Sequence, residues 1–230
     1  MSNSDYAIER LTHIQSKINA ACLTAGRKPE DVTLIGASKK QPANLIQKFV
    51  DHGLRNLGEN YLQEAIGKQN EMPKLAAHWH FIGQIQSNKT KTIAQHFNWV
   101  HGVDRLKIAQ RLGKQNPRTT PINILVQLNP DSELTKGGVT LEQAPQLCDE
   151  IAQIDGVSLQ GFMMIPKARE LATEQAAVFA QAKTLLETTN QRFGLAMKHL
   201  SMGMSGDLTT AIQEGSTMVR IGTDLFGQRA

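Results

Sequence analysis

Several features that mark common protein classes are missing from this sequence. Only two cysteines occur, Cys22 and Cys148, and they lie far apart without a CxxC motif or a Cys/His spacing that suits a metal. We therefore expect reduced thiols, no disulfide and no metal site. No apolar run reaches the ~18 residues of a membrane-spanning helix. The N-terminus, MSNSDYAIERL, also has no apolar signal core. Together these absences predict a cytoplasmic protein without a membrane segment.

Two binding classes are also disfavoured by what the sequence lacks. The net charge is +4, but the basic residues are scattered and aromatic residues make up only 5%. A nucleic-acid partner is therefore not expected. No GxGxxG motif follows the first predicted strand, which argues against a dinucleotide-binding fold.

The predicted elements alternate between strands and helices. Residues 5–25 are predicted to form an amphipathic helix, because apolar residues recur at three- and four-residue steps. Eight strands follow: Val32–Ala37, a short one within Leu54–Tyr61, His78–Gly83, Trp99–Val103, Pro121–Leu128, Val157–Ile165, His199–Met202 and Met218–Ile221. Such alternation predicts an α/β protein with a parallel sheet, and eight units in 230 residues favour a closed (β/α)8 TIM barrel. We expect one domain, 1–230, with an N-terminal helix within residues 1–26 packed on the barrel.

The first predicted strand ends just before a lysine. The stretch VTLIGASKKQP places Lys39 past a buried strand and ahead of a helix that begins near Pro42. Ligands of barrel enzymes bind at such strand ends. A lysine there can form a Schiff base with an aldehyde if burial and a neighbouring positive charge, here Lys40, favour loss of its proton. On this stretch alone, a solvated lysine at a strand end is the favoured interpretation.

The last two predicted strands carry loops that suit an anion. One loop offers Ser201, Ser205 and nearby glycines before a helix that opens at Asp207, and the other runs Arg220-Ile221-Gly222-Thr223. Hydroxyls and free backbone N–H groups at such positions bind phosphate, and the last two loops of barrels commonly do so. The alternative is that the glycines only turn the chain and the serines cap a helix. A lysine opposite a phosphate cup describes a site for pyridoxal 5′-phosphate (PLP), and the two interpretations are evenly balanced.

Six motifs carry a resemblance to a known family. The segments ASKKQP, GENYLQE, WHFIGQIQSNK, GFMMIP, LSMGMSGDL and GSTMVRIGTDLFG resemble the PLP homeostasis protein family, formerly called proline synthetase co-transcribed homologues, which are small relatives of the alanine racemase barrel. The resemblance runs from about Val32 to the end. It implies that Lys39 carries PLP as an internal aldimine. It also implies phosphate contacts from Ser201, Ser205, Gly222 and Thr223, with Arg220 near the ring nitrogen or the phosphate.

Other motif residues have two interpretations each. Asn60 either hydrogen-bonds near the cofactor or caps the helix after it, the cap being slightly favoured. His80 either faces the barrel mouth or, as we favour, is a hydrogen-bonded interior histidine. Met163 either lines the cofactor ring or, as we favour, fills the barrel. Lys136 matches a family lysine and is a candidate second amine. Gln41 stands where the family often has another lysine, which argues against a role for that position in passing PLP on.

Three functions are compatible with these residues. The racemase relatives use a lysine and a tyrosine as bases, the tyrosine coming from a second domain that we expect to be absent, since the chain ends at Ala230. Only Tyr6 and Tyr61 occur, and neither is an obvious base. An arginine beside the ring nitrogen would also weaken the cofactor as an electron sink. We therefore expect a non-catalytic, monomeric PLP-binding protein that buffers the cofactor or delivers it to PLP-dependent apo-enzymes. The alternatives are a PLP-dependent racemase or lyase with a minimal site, and a barrel enzyme for sugar phosphates.

Overall fold

Eight parallel strands close into a barrel in this computed structural model, which describes residues 3–133 and 135–228. The strands are β1 (Thr33–Ala37), β2 (Asn56–Glu59), β3 (His78–Phe81), β4 (Trp99–Val103), β5 (Ile122–Leu128), β6 (Val157–Met164), β7 (His199–Ser201) and β8 (Met218–Ile221). Each strand pairs with the next, and β1 pairs with β8 with Ile35 opposite Arg220. The predicted (β/α)8 barrel is confirmed.

Helices surround the barrel and follow the strands in sequence. They are α1 (Asn3–Thr24), α2 (Ala43–Asp51), α3 (Leu62–Glu71), α4 (Thr90–His96), α5 (Leu106–Gln115), α6 (Ala144–Ala152), α7 (Ala172–Phe193), α8 (Leu208–Gln213) and α9 (Thr223–Phe226). The pattern of α2 shows why they form. Ala43, Ile46, Phe49 and Val50 recur at helical spacing and are all buried. Pro42 precedes the first turn of α2, where its fixed φ and missing N–H are harmless.

The buried side chains form two layers. A large outer core lies between the barrel and its helices. A small inner core fills the barrel itself and consists of Ile35, Leu125, Met163 and Met218. Since successive side chains of a strand point to opposite faces, the two layers come from alternate residues. Met163 therefore fills the barrel.

Helix α1 packs against the outside of the barrel beside α8 and α9. Its residues Ile14, Ile18 and Cys22 are fully buried. Arg10 Nη1 donates a hydrogen bond of 3.2 Å to the carbonyl oxygen of Asp224. The first helix is thus tied to the segment that ends the described chain. Within the described residues, none of the helices has the length and apolarity that crossing a membrane requires.

Candidate functional site

A cavity of about 220 Å³ opens at the C-terminal ends of the strands. It lies where β1 meets β8, and residues from both predicted halves of the site line it. Its lining comprises Ala37, Lys39, Asn60, Ile82, Ile165, Met204, Ser205, Gly206, Arg220, Gly222 and Thr223. A larger cavity of about 550 Å³ lies between α1 and the opposite end of β1, remote from Lys39. The lysine and the phosphate-type loops therefore share one cavity, which is the arrangement that the sequence predicts.

Lys39 stands two residues beyond the end of β1. It is half-buried, whereas its neighbour Lys40 is exposed. The backbone of Lys40 has φ 60, a left-handed conformation that is uncommon for residues other than glycine. Lys39 lies just before this turn and lines the cavity. Ser38, just before it, is fully buried.

Arg220 brings a buried positive charge to the cavity. Its side chain projects from β8, and the residue is 4% exposed. Nη1 donates to Ser201 Oγ at 2.7 Å, and Nη2 donates to the carbonyl oxygen of Met164 at 2.9 Å. No carboxylate forms an ion pair with it among the residues that the structure describes. Burial lowers the pKa of Arg220 to about 10, so the guanidinium is charged at neutral pH. A charge of this kind favours an anionic ligand.

A chain of hydrogen bonds connects Arg220 to the other end of the barrel. From Ser201 Oγ it continues to His101 Nδ1 (2.9 Å), from His101 Nε2 to His80 Nδ1 (3.0 Å), and from His80 Nε2 to Asn56 Oδ1 (3.1 Å). Burial lowers the pKa of His80 to about 3 and that of His101 well below its usual value, so both rings are neutral.

The proton positions in this chain follow from its last acceptor. Because Asn56 Oδ1 can only accept, His80 donates from Nε2 and accepts at Nδ1. His101 then donates from Nε2 and accepts at Nδ1 from the hydroxyl of Ser201, which is left to accept from Arg220. All four hydrogen bonds therefore point away from the guanidinium. His80 is an interior, hydrogen-bonded histidine, and its ring also stacks on Trp99 with centroids 5.7 Å apart.

Two predicted site residues lie below the cavity. Ser201 is fully buried and acts on Arg220 from behind. Met163 is 1% exposed and belongs to the inner core. Neither lines the cavity. The other six predicted residues, Lys39, Asn60, Ser205, Arg220, Gly222 and Thr223, do line it.

The loop after β7 supplies unused hydrogen-bond donors. The backbone N–H groups of Ser205 and Gly206 have no acceptor among the described residues. Asp207 Oδ1 accepts from the N–H of Met204 at 2.6 Å and thereby closes the loop. A Cβ at Gly206 would meet no atom within 4 Å. Since α8 has six residues and α9 four, the groups at this end of the cavity that suit an anion are these local N–H donors and Arg220.

Asn60 supplies an unused acceptor on the opposite side of the cavity. Its Oδ1 is buried and has no hydrogen-bond partner. The helix-capping interpretation is wrong, because the residue at the start of α3 is Tyr61 and no side chain caps that helix. A buried amide oxygen without a partner is costly, so it fits a ligand that donates to it. The cavity thus presents N–H donors that suit a phosphate, a buried cation and one acceptor without a partner.

Lys136 lies next to the cavity but not in it. Its Nζ forms an ion pair with Glu133 Oε1 at 2.6 Å and donates to the carbonyl oxygen of Ile165 at 3.3 Å. Ile165 belongs to the cavity wall. Gln41 is buried at 7% exposure. In the described residues, no group of three or more His, Cys, Asp or Glu side chains is placed to hold a metal ion.

The sequence interpretation missed residues that support the site. His101 lies at the middle of WVHGV on β4, on the same face of the strand as Trp99. This alternation was the available signal that a polar side chain faces inward. Glu64 and Lys68 on α3 stand four residues apart, a spacing typical of ion pairs on a helix. They form such a pair at 2.7 Å, and Lys68 is 5% exposed. These residues hold the backbone next to Lys39.

Comparison with known proteins places this barrel in a family. The chain belongs to the alanine racemase N-terminal domain family, whose model matches residues 30–230. It is 47% identical over 222 residues to the pyridoxal phosphate homeostasis protein of Pseudomonas aeruginosa, with 96% of this chain and 95% of that protein covered. The resemblance that the motifs indicated is therefore confirmed.

Solved structures give the same result for the fold. PipY of Synechococcus elongatus PCC7942 with PLP bound has a TM-score of 0.84 and 34% identity, with 96% of this chain and all of that chain (100%) covered. The same protein without PLP has a TM-score of 0.86 at 34% identity, with the same shares covered.

Proposed function

We propose that this chain binds PLP without catalysing a reaction on amino acids, and that it serves intracellular PLP homeostasis by buffering or delivering the cofactor. The observation that carries the proposal is one cavity that joins Lys39 to the buried cation of Arg220 and the donor loops after β7 and β8. The similarity to PLP homeostasis proteins and to PipY with PLP bound supports it.

Each part of the cofactor has a matching group in the cavity. The phosphate suits the N–H groups of Ser205 and Gly206 and the loop at Gly222 and Thr223. Arg220 suits the ring nitrogen or the phosphate, and Asn60 Oδ1 accepts from a donor on the ligand. Bound PLP supplies an aldehyde. Lys39 would be the residue that holds this aldehyde as a Schiff base, with water as the other product.

Among the described residues, neither tyrosine is placed as a second base of the racemase type. Tyr6 packs edge-on against Phe49 at 6.4 Å, and Tyr61 is 54% exposed. Neither lines the cavity. Arg220, as a cation, also disfavours protonation of a neighbouring ring nitrogen, and so disfavours carbanion chemistry. These features favour retention of PLP over turnover. The recipients we propose are PLP-dependent apo-enzymes in the cytoplasm, served by a monomer.

Peptide mapping after borohydride reduction tests the attachment. The protein is incubated with PLP, reduced and digested, and the modified lysine is located by mass spectrometry. We expect a pyridoxyl adduct on Lys39 and its loss in Lys39→Ala. Lys40→Ala is the matched control, because it removes the adjacent exposed lysine, and it is expected to keep the adduct. A protein that stays colourless with PLP and carries no adduct at Lys39 would overturn the proposal and favour the sugar-phosphate alternative.

Incubation with amino acids tests the non-catalytic part. The PLP-loaded protein is mixed with L- and D-alanine, and the enantiomers are followed over many equivalents of protein. We expect no sustained conversion. Racemisation at ordinary enzyme rates would replace the homeostasis function with the racemase alternative.

A further inference from the structure

Helix α3 holds the two peptide groups that flank Lys39. On one side, Lys68 Nζ donates a hydrogen bond of 2.7 Å to the carbonyl oxygen of Ser38. On the other side, the N–H of Lys40 donates to Glu64 Oε1. The backbone before and after Lys39 is therefore fixed by side chains that stand one helical turn apart.

This clamp is itself tightly connected. Lys68 Nζ also lies 2.6 Å from Glu59 Oε1 and 2.7 Å from Glu64 Oε1, so its three N–H donors have three acceptors. Ser38 Oγ donates to the same Glu59 oxygen at 2.6 Å. The side chains of Lys68 and Glu59 are 6% and 0% exposed. A buried ion pair of this kind adds little net stability, because both charges lose their hydration. Its effect is to fix the position of the groups that it contacts.

The turn after Lys39 needs such a contact. Lys40 has a positive φ of 60, which a side chain with a Cβ adopts only when the surroundings hold it. In this turn, Glu64 Oε1 accepts a hydrogen bond from the N–H of Lys40. Ser38 N–H also donates to Gly58, and Gln41 N–H donates to Ser38, but Glu64 and Lys68 supply the side-chain contacts to the two peptide groups that flank Lys39. Loss of these contacts should loosen the turn and let the direction of the Lys39 side chain change.

We propose that Glu64 and Lys68 are positioning residues for Lys39, and that they set the direction from which its amine enters the cavity. This inference rests on the proposed function, in which Lys39 is the attachment point for PLP. It assigns to α3 a role in imine formation that is separate from phosphate binding, because neither residue lines the cavity.

Two disrupting variants, the conservative variant Lys68→Arg and one control test this inference. Lys68→Met keeps the length of the side chain and removes its charge, and Glu64→Ala removes the acceptor for Lys40. The control is Asp51→Ala, which removes an exposed acceptor of a helical i, i+4 pair with Gln47 on α2. Amide hydrogen exchange of Lys40 is measured without PLP. The rate of imine formation is measured with PLP, and the affinity for pyridoxine 5′-phosphate, which has no aldehyde, is measured separately.

In both variants we expect the Lys40 amide to exchange about tenfold faster or more. Imine formation should slow about tenfold or more, because the amine is misplaced. Affinity for pyridoxine 5′-phosphate should stay within about twofold, and Lys68→Arg should restore part of the imine rate. Asp51→Ala should change none of these.

The contrary results are equally definite. Unchanged imine formation and Lys40 exchange in both variants would overturn the inference. A parallel loss of imine formation and pyridoxine 5′-phosphate affinity would also overturn it, since it would indicate general structural damage. If Lys68→Met does not fold, the partly exposed Glu64 carries the test alone. If the unaltered protein forms no adduct, the proposed function fails, while amide exchange still decides whether the clamp exists.

Discussion

The guanidinium of Arg220 and the hydroxyl of Ser201 form a hydrogen bond of 2.7 Å inside the barrel, between the last two strands. Ser201 lines no cavity, yet it holds the residue that brings positive charge to one. Behind it, His101 and His80 extend the same chain of hydrogen bonds to Asn56. Groups far from the cavity are therefore linked by hydrogen bonds to the cation that lines it.

Replacing Ser201 with alanine should destabilise the fold. The change leaves Arg220 Nη1 without its acceptor and His101 Nδ1 without its donor, both in a fully buried place. We expect the free energy of unfolding in urea to fall by about 1–3 kcal/mol. The control is Ser158→Ala, which loses a partly buried bond from Gln160 and should cost less than about 1 kcal/mol. Equal losses of unfolding free energy in the two variants would show that the buried chain of hydrogen bonds contributes no more than a single partly buried bond.

Replacing Arg220 with lysine should weaken PLP retention more than it weakens the fold. Lysine keeps a charge but cannot donate to Ser201 and Met164 in the same planar geometry. We expect the dissociation constant for PLP, from equilibrium dialysis, to rise about tenfold or more. Arg118→Lys is the control, because Arg118, in the loop before β5, donates to the carbonyl oxygen of Phe97, in the loop before β4, at the other end of the barrel. An unchanged dissociation constant with a lowered melting temperature would make Arg220 a purely structural residue.

Acid should destabilise the protein through its buried histidines. Burial lowers the pKa of His80 to about 3, and lowers those of His101 and His199. Histidines in the unfolded chain become protonated near their ordinary pKa of about 6.5. Below that pH the unfolded state therefore binds more protons than the folded state. This stability is complete above the unfolded pKa and is lost as pH falls toward the folded values.

The slope of stability against pH isolates the contribution of His80. Between pH 5 and 6.5, removal of one such histidine should lower the slope by up to about 1.4 kcal/mol per pH unit. We expect this in His80→Gln, measured by urea unfolding at several pH values. His13→Gln, at an exposed position on α1, serves as the control. A slope in His80→Gln equal to that of the unaltered protein would contradict the neutral, buried state of His80.

The two cysteines should be unreactive in the folded protein. Cys22 and Cys148 are both fully buried, and burial raises the pKa of Cys148 to about 12 and raises that of Cys22. The thiolate, which is the reactive form, is therefore scarce at neutral pH. Titration with Ellman's reagent should find no rapidly reacting thiol in the native state and two after unfolding in denaturant. Rapid reaction of either thiol in the native protein would contradict the burial described above.

The sequence predicted the barrel and most of the cavity because these depend on strong local signals. Alternating strands and helices require a parallel sheet, and the position of Lys39 after a buried strand placed it at the mouth. Ser201 was placed in an anion-binding loop, and Met163 was left between the cofactor ring and the barrel interior. Side chains of a strand alternate between its two faces, so a shift of one residue changes whether a side chain faces the mouth or the interior. Motif matching does not resolve that parity.

Other features depend on contacts between distant segments. Asn60 follows a strand and precedes a helix, so capping and ligand binding were locally indistinguishable. Only the packed barrel leaves its Oδ1 buried and without a partner. Lys68 lies in a helix where most lysines are solvated. Its burial arises because β2 brings Glu59 and the end of β1 brings the Ser38 carbonyl to the same point.

The cavity spans the seam where the first strand of the sheet meets the last. Ile35 on β1 stands opposite Arg220 on β8. Lys39 follows β1, whereas the hydrogen-bond donors that suit an anion follow β7 and β8. A chain still being synthesised carries Lys39 early but lacks the seam until its final residues have emerged. The ability to hold a ligand across that seam thus appears only with closure of the sheet, and a ligand bound there ties the two ends of the folding unit together.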